Sequence, residues 1–346
     1  MDNKPSVCLA MIVKNNSSSI RRCLESIKPY IDYWVIHDTG STDDTKKIIG
    51  ETLEGIPGVL EDQKWVNFGV NRSKVLDVAR NKTDWVISLD ADYEFVGHLD
   101  NLENQIADRL NIMFPEHGNR LPLLFNNRMV WQYEGACHEV LSCVEPTSEQ
   151  NYDDFVIIHH SHDSQDAHRR FERNLELLLA DTPSPRRCFY LGETYRCLNQ
   201  KNEAYYWYQK YLEEPAWYQE VFWAKYHSQL MLGDNPDCWN PANLWDAYYG
   251  LPERVETLYL LQQYYRHKGN YYVAIATGLL AKSAGKPEGL FIENAIYDYL
   301  VDFELSIAYA RIGQYDMAES YNKKVLEQNP PTQYVTAIAN NRTYYV

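Results

Sequence analysis

Hydrophobic positions along the chain follow two regimes. Residues 6–13 (SVCLAMIV) form an almost unbroken apolar run that stops at the polar cluster Lys14-Asn15-Asn16-Ser17. A strand buried on both faces has this appearance. Within 18–27 the apolar residues fall at Ile20, Cys23, Leu24 and Ile27, the stripe of a helix, and Pro29 closes it. Residues 33–37 (YWVIH) predict a second strand that runs into the turn-forming series Asp38-Thr39-Gly40-Ser41-Thr42-Asp43 and a helix over 44–49. A strand at 58–60, a helix around 72–79 and a strand at 85–89 (WVISL) continue the order. Such alternation predicts a parallel sheet covered by helices, with ligands bound outside the carboxyl ends of the strands. Strands are also predicted at 121–125, 128–133, 140–144 and 155–159, the last three as a mixed extension of the sheet. The expected α/β domain spans 1–165.

From Asp166 onward the pattern turns helical, and 166–346 reads as a second, all-α domain. Gly269-Asn270-Tyr271-Tyr272-Val273-Ala274 and Gly313-Gln314-Tyr315-Asp316-Met317-Ala318 share Gly, Tyr and Ala at the same offsets, and 199–204 is a weaker copy. Tyr195, Tyr265 and Tyr309 each precede the alanine of their copy by nine residues. Small residues let paired helices approach while aromatics fill the gap, which is the tetratricopeptide pattern. The alanines are separated by 70 and 44 residues, which are not multiples of the repeat period of about 34. A degenerate repeat near 224–238 and a long connection over 234–250 would reconcile them.

Composition narrows the functions. A net charge of -15, with no basic stripe, repels a phosphate backbone and argues against nucleic acid. Seven scattered cysteines without a C-x-x-C pair indicate reduced thiols rather than a disulfide framework or zinc site. The apolar stretch near the N-terminus is too short for a signal sequence or a spanning helix, so a cytoplasmic protein without a transmembrane segment is expected.

Candidate chemistry sits at the strand ends. Asp90-Ala91-Asp92 follows a buried strand and sets two carboxylates at one sheet edge with a small residue between them. That spacing suits a hard divalent cation shared with a diphosphate, because Mg²⁺ or Mn²⁺ on a nucleotide needs only one or two protein carboxylates. By itself the motif also fits an ordinary acidic turn.

Together with Val13-Lys14-Asn15, the Asp38 turn, Asn67-Phe68-Gly69 and Arg72, this segment resembles family 2 glycosyltransferases of the GT-A, Rossmann-like type. A second block, Asn127-Arg128 followed by Gly135-Ala136-Cys137-His138-Glu139, resembles members of that family that carry tetratricopeptide repeats. The resemblance implies a nucleotide-sugar donor, UDP-sugar foremost, and a Mn²⁺ or Mg²⁺ cofactor. It implies that Asp38 contacts the uracil or an equivalent base, that Asp90 lies by the ribose and that Asp92 binds the metal. Val13, Lys14, Asn15, Arg72 and Ala91 would complete the nucleotide site.

An inverting transferase needs a base for the acceptor, and Glu139, beside His138, is the candidate. Ordering of the acceptor loop, or pairing of Glu139 with Arg128, is the alternative. His159 is the candidate second metal ligand, with His160, His162 and Asp163 close by; Ser161 stands where the family usually has glycine. The expected acceptor is a glycan, peptide or protein. Trp207, Tyr208, Trp217, Tyr218, Trp223, Tyr264 and Tyr265 would either contact a peptide or pack between helices. A homodimer through the repeat domain is a further expectation, and an inactive transferase domain serving as a binding scaffold is the competing reading.

Overall fold

The computed structural model describes residues 4–116, 118–160, 167–287 and 291–343. The chain divides into two compact units, Met1–Thr182 and Pro183–Val346.

In the first unit, strands β1 (Val7–Val13), β2 (Tyr33–Asp38), β3 (Gly58–Asp62) and β4 (Trp85–Ser88) alternate with helices α1 (Ile20–Ile27), α2 (Thr45–Thr52) and α3 (Phe68–Ala79). Strands β5 (Tyr93–Gly97), β6 (Arg109–Phe114), β7 (Asn119–Asn126), β8 (Trp131–Glu134), β9 (Val140–Cys143) and β10 (Glu149–His159) follow, then helix α4 (Ala167–Ala180). The main sheet has the order β3-β2-β1-β4-β7-β6-β10-β5. Strands β1 to β4 run parallel, whereas β7 and β5 enter antiparallel, so the sheet is mixed. Strand β1 is central: Val7, Leu9, Met11 and Val13 pack with Ile20, Cys23, Leu24 and Ile27 of α1, while Cys8 and Ala10 face Val75, Leu76 and Ala79 of α3. Burial on both faces is why its sequence is continuously apolar. The chain leaves β1 for β2 on one side and β4 lies on the other, which creates a topological switch point at the carboxyl end of β1.

Two strand expectations change. Strands β8 and β9 do not extend the main sheet but pair only with each other. They are drawn onto α3, where Ser73 Oγ accepts from Tyr133 N at 2.8 Å and Phe68 N donates to the Ala136 carbonyl at 3.0 Å. A Cβ on Gly69 would lie 2.3 Å from the Gly135 carbonyl oxygen, so the first turn of α3 needs glycine for this close approach. Strands β5 and β6 were not expected.

The unit boundary also falls later than 165/166, because α4 stays with the sheet. Ala136 N donates to Asp181 Oδ2 at 2.9 Å, the Cys137 thiol reaches the Asn174 carbonyl at 3.8 Å, and Arg173 lies 5.3 Å above the Phe68 ring.

The second unit is helical throughout its described residues. Helices α5 (Pro185–Cys197) and α6 (Lys201–Glu213), α7 (Tyr218–Met231) and α8 (Pro241–Gly250), α9 (Glu256–His267) and α10 (Tyr271–Ala284), and α11 (Val301–Arg311) and α12 (Tyr315–Glu327) pack as successive pairs, and α13 (Thr332–Arg342) ends the series. Asn199, Gly269 and Gly313 all adopt the left-handed region, at φ +58°, +77° and +75°. At each, the following N–H returns to the carbonyl of Tyr195, Tyr265 or Tyr309, which closes the first helix and reverses the chain. Ala204, Ala274 and Ala318 are fully buried between the paired helices. The expected connection over 234–250 contains helix α8 instead. Asn240 caps it by accepting from Ala242 N at 3.0 Å, with Pro241 at the first helical position.

Of the aromatic residues singled out, Tyr208 and Trp223 are buried, whereas Tyr218 is exposed. No helix among the described residues is long and apolar enough to cross a membrane.

Candidate active site

Asp38 ends β2 beside Val13 of β1 in the parallel register. Its Oδ1 accepts from the backbone N–H groups of Gly40 and Ser41 at 2.9 and 2.7 Å. The carboxylate therefore holds the turn that Gly40 makes at φ +109°. Its Oδ2 is buried with no hydrogen-bond partner among the described residues. A carboxylate oxygen left in this state is costly and is a ready acceptor for a ligand N–H.

The loops after β1 and β2 are laced to each other. The Val13 carbonyl accepts from Thr39 N at 2.8 Å. Asn15, left-handed at φ +53°, donates its N–H to Ser41 Oγ at 2.9 Å and accepts from Thr42 N at 2.8 Å. Asn16 N donates to Thr45 Oγ1, and Ser17 N to Asp43 Oδ2. Hydrogen bonds from Ser17 and Thr45 hold the Asp43 carboxyl below the usual carboxylate range. Lys14 donates its N–H to Asn16 Oδ1 at 2.9 Å and is itself exposed.

On the other side of β1, Asp90-Ala91-Asp92 follows β4, and the turn closes through Tyr93 N to the Asp90 carbonyl at 3.0 Å. Ala91 is buried, so the two carboxylates flank a residue that belongs to the core. Arg72 of α3 joins this segment to the β8–β9 hairpin: its Nη2 lies 2.6 Å from Asp90 Oδ1 and its Nε 2.6 Å from Glu139 Oε1. The guanidinium also sits 5.7 Å from the centre of the Tyr133 ring. Only 13% of the Arg72 side chain is exposed, so it is an internal strut rather than a surface ion pair. Arg128 is not the partner of Glu139; it pairs with Asp84 at 2.7 Å, at the opposite end of β4. His138, next to Glu139, is left-handed at φ +54°.

Asp92 meets His159 because β5 and β10 pair antiparallel with Tyr93 opposite His159. His159 Nε2 lies 3.3 Å from Asp92 Oδ2, and His160 N donates to the Asp92 carbonyl at 3.0 Å. The hydrogen bond with Asp92 raises the pKa of the His159 imidazole. His160 turns to Glu94, 2.6 Å away. Thus the sheet register separates the two histidines, while Ser161, His162 and Asp163 lie outside the described residues. Glu94 had not been anticipated; its signal was its place two residues after Asp92 on a strand. Cys23 lies beneath, with its thiol 3.3 Å from the Asp90 carbonyl. Burial pushes that thiol's pKa up, and Asp90 and Asp92 add to the shift, so it is held protonated.

No set of three His, Cys, Asp or Glu side chains among the described residues is grouped to hold a cation unaided. The Asp92–His159 pair offers one hard oxygen ligand and one imidazole. Two protein ligands would suffice for a Mn²⁺ or Mg²⁺ that also takes substrate phosphate oxygens.

Residues 8–109 match the family described as glycosyl transferase family 2. The SPbeta prophage-derived glycosyltransferase SunS of Bacillus subtilis is 33% identical over 89 residues, 25% of this chain and 20% of SunS. RP128, an uncharacterized glycosyltransferase of Rickettsia prowazekii, is 29% identical over 125 residues, 36% of this chain and 38% of RP128. The match thus spans well under half the length of these relatives. Among solved structures, MamA aligns over 49% of this chain and 96% of MamA, at a TM-score of 0.38 and 20% identity. The matched residues carry β1, the Asp38 turn, Arg72 and the Asp90–Asp92 segment, so residues 8–109 form a glycosyl transferase family 2 domain, and paired helices follow it in the chain.

Proposed function

We propose that the protein is a metal-dependent, inverting glycosyltransferase that moves a sugar from a nucleotide-diphosphate donor, a UDP-sugar, to a glycan, peptide or protein acceptor. The observation that carries this reading is the set of carboxylates on both sides of β1. Asp38 has a buried oxygen without a partner among the described residues, and Asp90 and Asp92 stand across the switch point. Each has a distinct role. Asp38 Oδ2 accepts from the donor base. Asp90, fixed by Arg72, lies by the ribose, and the backbone of Val13, Lys14 and Asn15 frames the nucleotide. Asp92 and His159 would hold Mn²⁺ or Mg²⁺, whose charge offsets that of the departing diphosphate.

On the acceptor side, Glu139 takes the acceptor proton with His138 beside it. In the structure Glu139 is ion-paired with Arg72, so the base role requires donor binding to draw the guanidinium away.

Thermal-shift screening of nucleoside diphosphates and nucleotide sugars, with and without Mn²⁺, tests the reading. A ligand present at a hundredfold excess over Kd stabilises the folded state by about 2.7 kcal/mol. For a unit of this size that raises Tm by roughly 5–10 °C. No shift with any nucleotide under any metal condition would sink the proposal. A shift without turnover on any acceptor or water would favour the scaffold reading.

A further inference from the structure

In the helical unit, α5, α7 and the start of α9 bring together polar side chains that the proposed reaction does not use. Glu193 accepts from Trp223 Nε1 at 3.0 Å and from the Tyr208 hydroxyl, and it pairs with Arg196 at 2.7 Å. Arg254 and Glu256 are both buried and form an ion pair at 2.6 Å. His227 lies among them, only 3% exposed, and neither of its ring nitrogens has a hydrogen-bond partner among the described residues. A buried imidazole in that condition calls for a physical reason.

The stretch from Phe291 to Tyr297 runs across this set. The Phe291 ring stacks on Trp223, with centroids 5.5 Å apart, and touches Phe189 at 5.5 Å and Trp217 at 6.5 Å. Arg254 donates to the Phe291 carbonyl. Two residues on, Glu293 Oε2 accepts from the Tyr226 hydroxyl at 3.1 Å. Its other oxygen stops 3.8 Å from His227 Nε2, beyond hydrogen-bond range. Phe291 is left-handed at φ +61°, a strained conformation for a bulky residue. A π-helical turn, Ile296–Leu300, begins directly afterwards, and Tyr297 anchors it by donating to Glu256 Oε2 at 2.9 Å. The Glu293 side chain is 37% exposed, so this end of the stretch opens to solvent.

Three chemical features are therefore read in sequence: a ring by an aromatic box, a backbone carbonyl by a guanidinium, and a carboxylate by a tyrosine hydroxyl near an unsatisfied imidazole. Side chains at alternate positions together with the main chain between them are how extended peptides are recognised. The present occupant meets those demands imperfectly, since its backbone is strained and its carboxylate falls short of His227.

We propose that Phe291–Glu293 is a resident, displaceable occupant of a peptide-docking face on α5, α7 and α9. The partner it stands in for is an extended segment of another chain with an aromatic residue two positions before a carboxylate. Such a segment, free of the helix that follows Phe291–Glu293 here, satisfies both Tyr226 and His227.

The test uses the full chain and a fluorescein-labelled peptide Phe-Ile-Glu-Asn-Ala, which copies residues 291–295. Fluorescence anisotropy is expected to show binding at least about tenfold tighter to Phe291→Ala than to the unsubstituted chain. Replacing the peptide's Glu by Gln should abolish most of that gain, because Tyr226 and His227 then lose their carboxylate. Equal binding to both proteins overturns the proposal, as does absence of binding to a Phe291→Ala chain that melts at the unsubstituted temperature. Should Phe291→Ala melt early, Phe291→Leu keeps an apolar group in the box and is read by the same two criteria.

Discussion

At the scale of single residues, the site separates groups that hold the protein together from groups that face outward. Asp92 and His159 are each about 30% exposed, at 30% and 29%, and a pair so open to water contributes at most about 1 kcal/mol to folding. Asp92→Asn is therefore expected to leave Tm nearly unchanged while removing metal-dependent donor hydrolysis, and unchanged hydrolysis would reject Asp92 as a metal ligand. Glu139 is less simple, because it is bound to Arg72. As a general base, its replacement by Gln should lower kcat by about a hundredfold or more with little change in donor KM. The opposite split, a raised donor KM with kcat kept, would make Glu139 a positioning residue for Arg72. Steady-state kinetics with the donor varied decides between them.

At the scale of elements, the left-handed turns of the repeats explain a sequence pattern and support a prediction. Asn199 occupies the conformation that Gly269 and Gly313 occupy in the other copies, and only glycine adopts it without steric cost. Asn199→Gly should therefore leave the helical unit equally or slightly more stable, whereas Gly269→Ala should cost about 1 kcal/mol. Calorimetric melting of both variants reads the contrast. What could be read in advance follows from the same logic of local signals. Strands β1, β2 and β4 were legible because burial on both faces leaves unbroken apolar runs, and the repeats because Gly, Tyr and Ala recur at fixed offsets. Strand β5 was not, since it is a short edge strand with an acidic start. Strand β6 alternates Leu110, Ile112 and Phe114 inward, a period-two signal that is present in the sequence. Helix α8 falls inside the segment expected to be a long connection, although Asn240 followed by Pro241 carries the signal of a helix start. In the site, the carboxylates stood out by type and position. Their partners did not, because the Arg72–Glu139 and Asp92–His159 pairs depend on how a hairpin docks on α3 and on the β5–β10 register.

For the molecule as a whole, buried ionisable groups set the response to pH. Burial lowers the pKa of His227 well below the ordinary value of 6.5, and Arg196 adds to this. The folded state then releases a proton that the unfolded chain keeps. Stability from this group is complete above about pH 6.5 and is lost as pH falls, by up to about 1.4 kcal/mol per pH unit. Glu293, whose carboxyl is raised chiefly by burial, faces the same imidazole and shifts the balance the other way. His227→Phe is expected to flatten the decline of the helical unit's Tm between pH 6.5 and 5.5, and an unaltered decline would assign it to other groups.

The two halves of the candidate site also differ in the length of chain that must close to make them. Asn15 and Thr42 meet across 27 residues, while Asp92 and His159 meet across 67. Closing the longer loop costs about 0.8 kcal/mol more in chain entropy, and it joins an edge strand rather than the centre of the sheet. The Asn15–Thr42 rim is accordingly expected to form first and the Asp92–His159 pair last, so hydrogen exchange should be faster at His160 N–H than at Thr42 N–H. On the proposed function, a molecule caught partway through folding, or partly unfolded by age or heat, would still grip a base while having lost its hold on the cation.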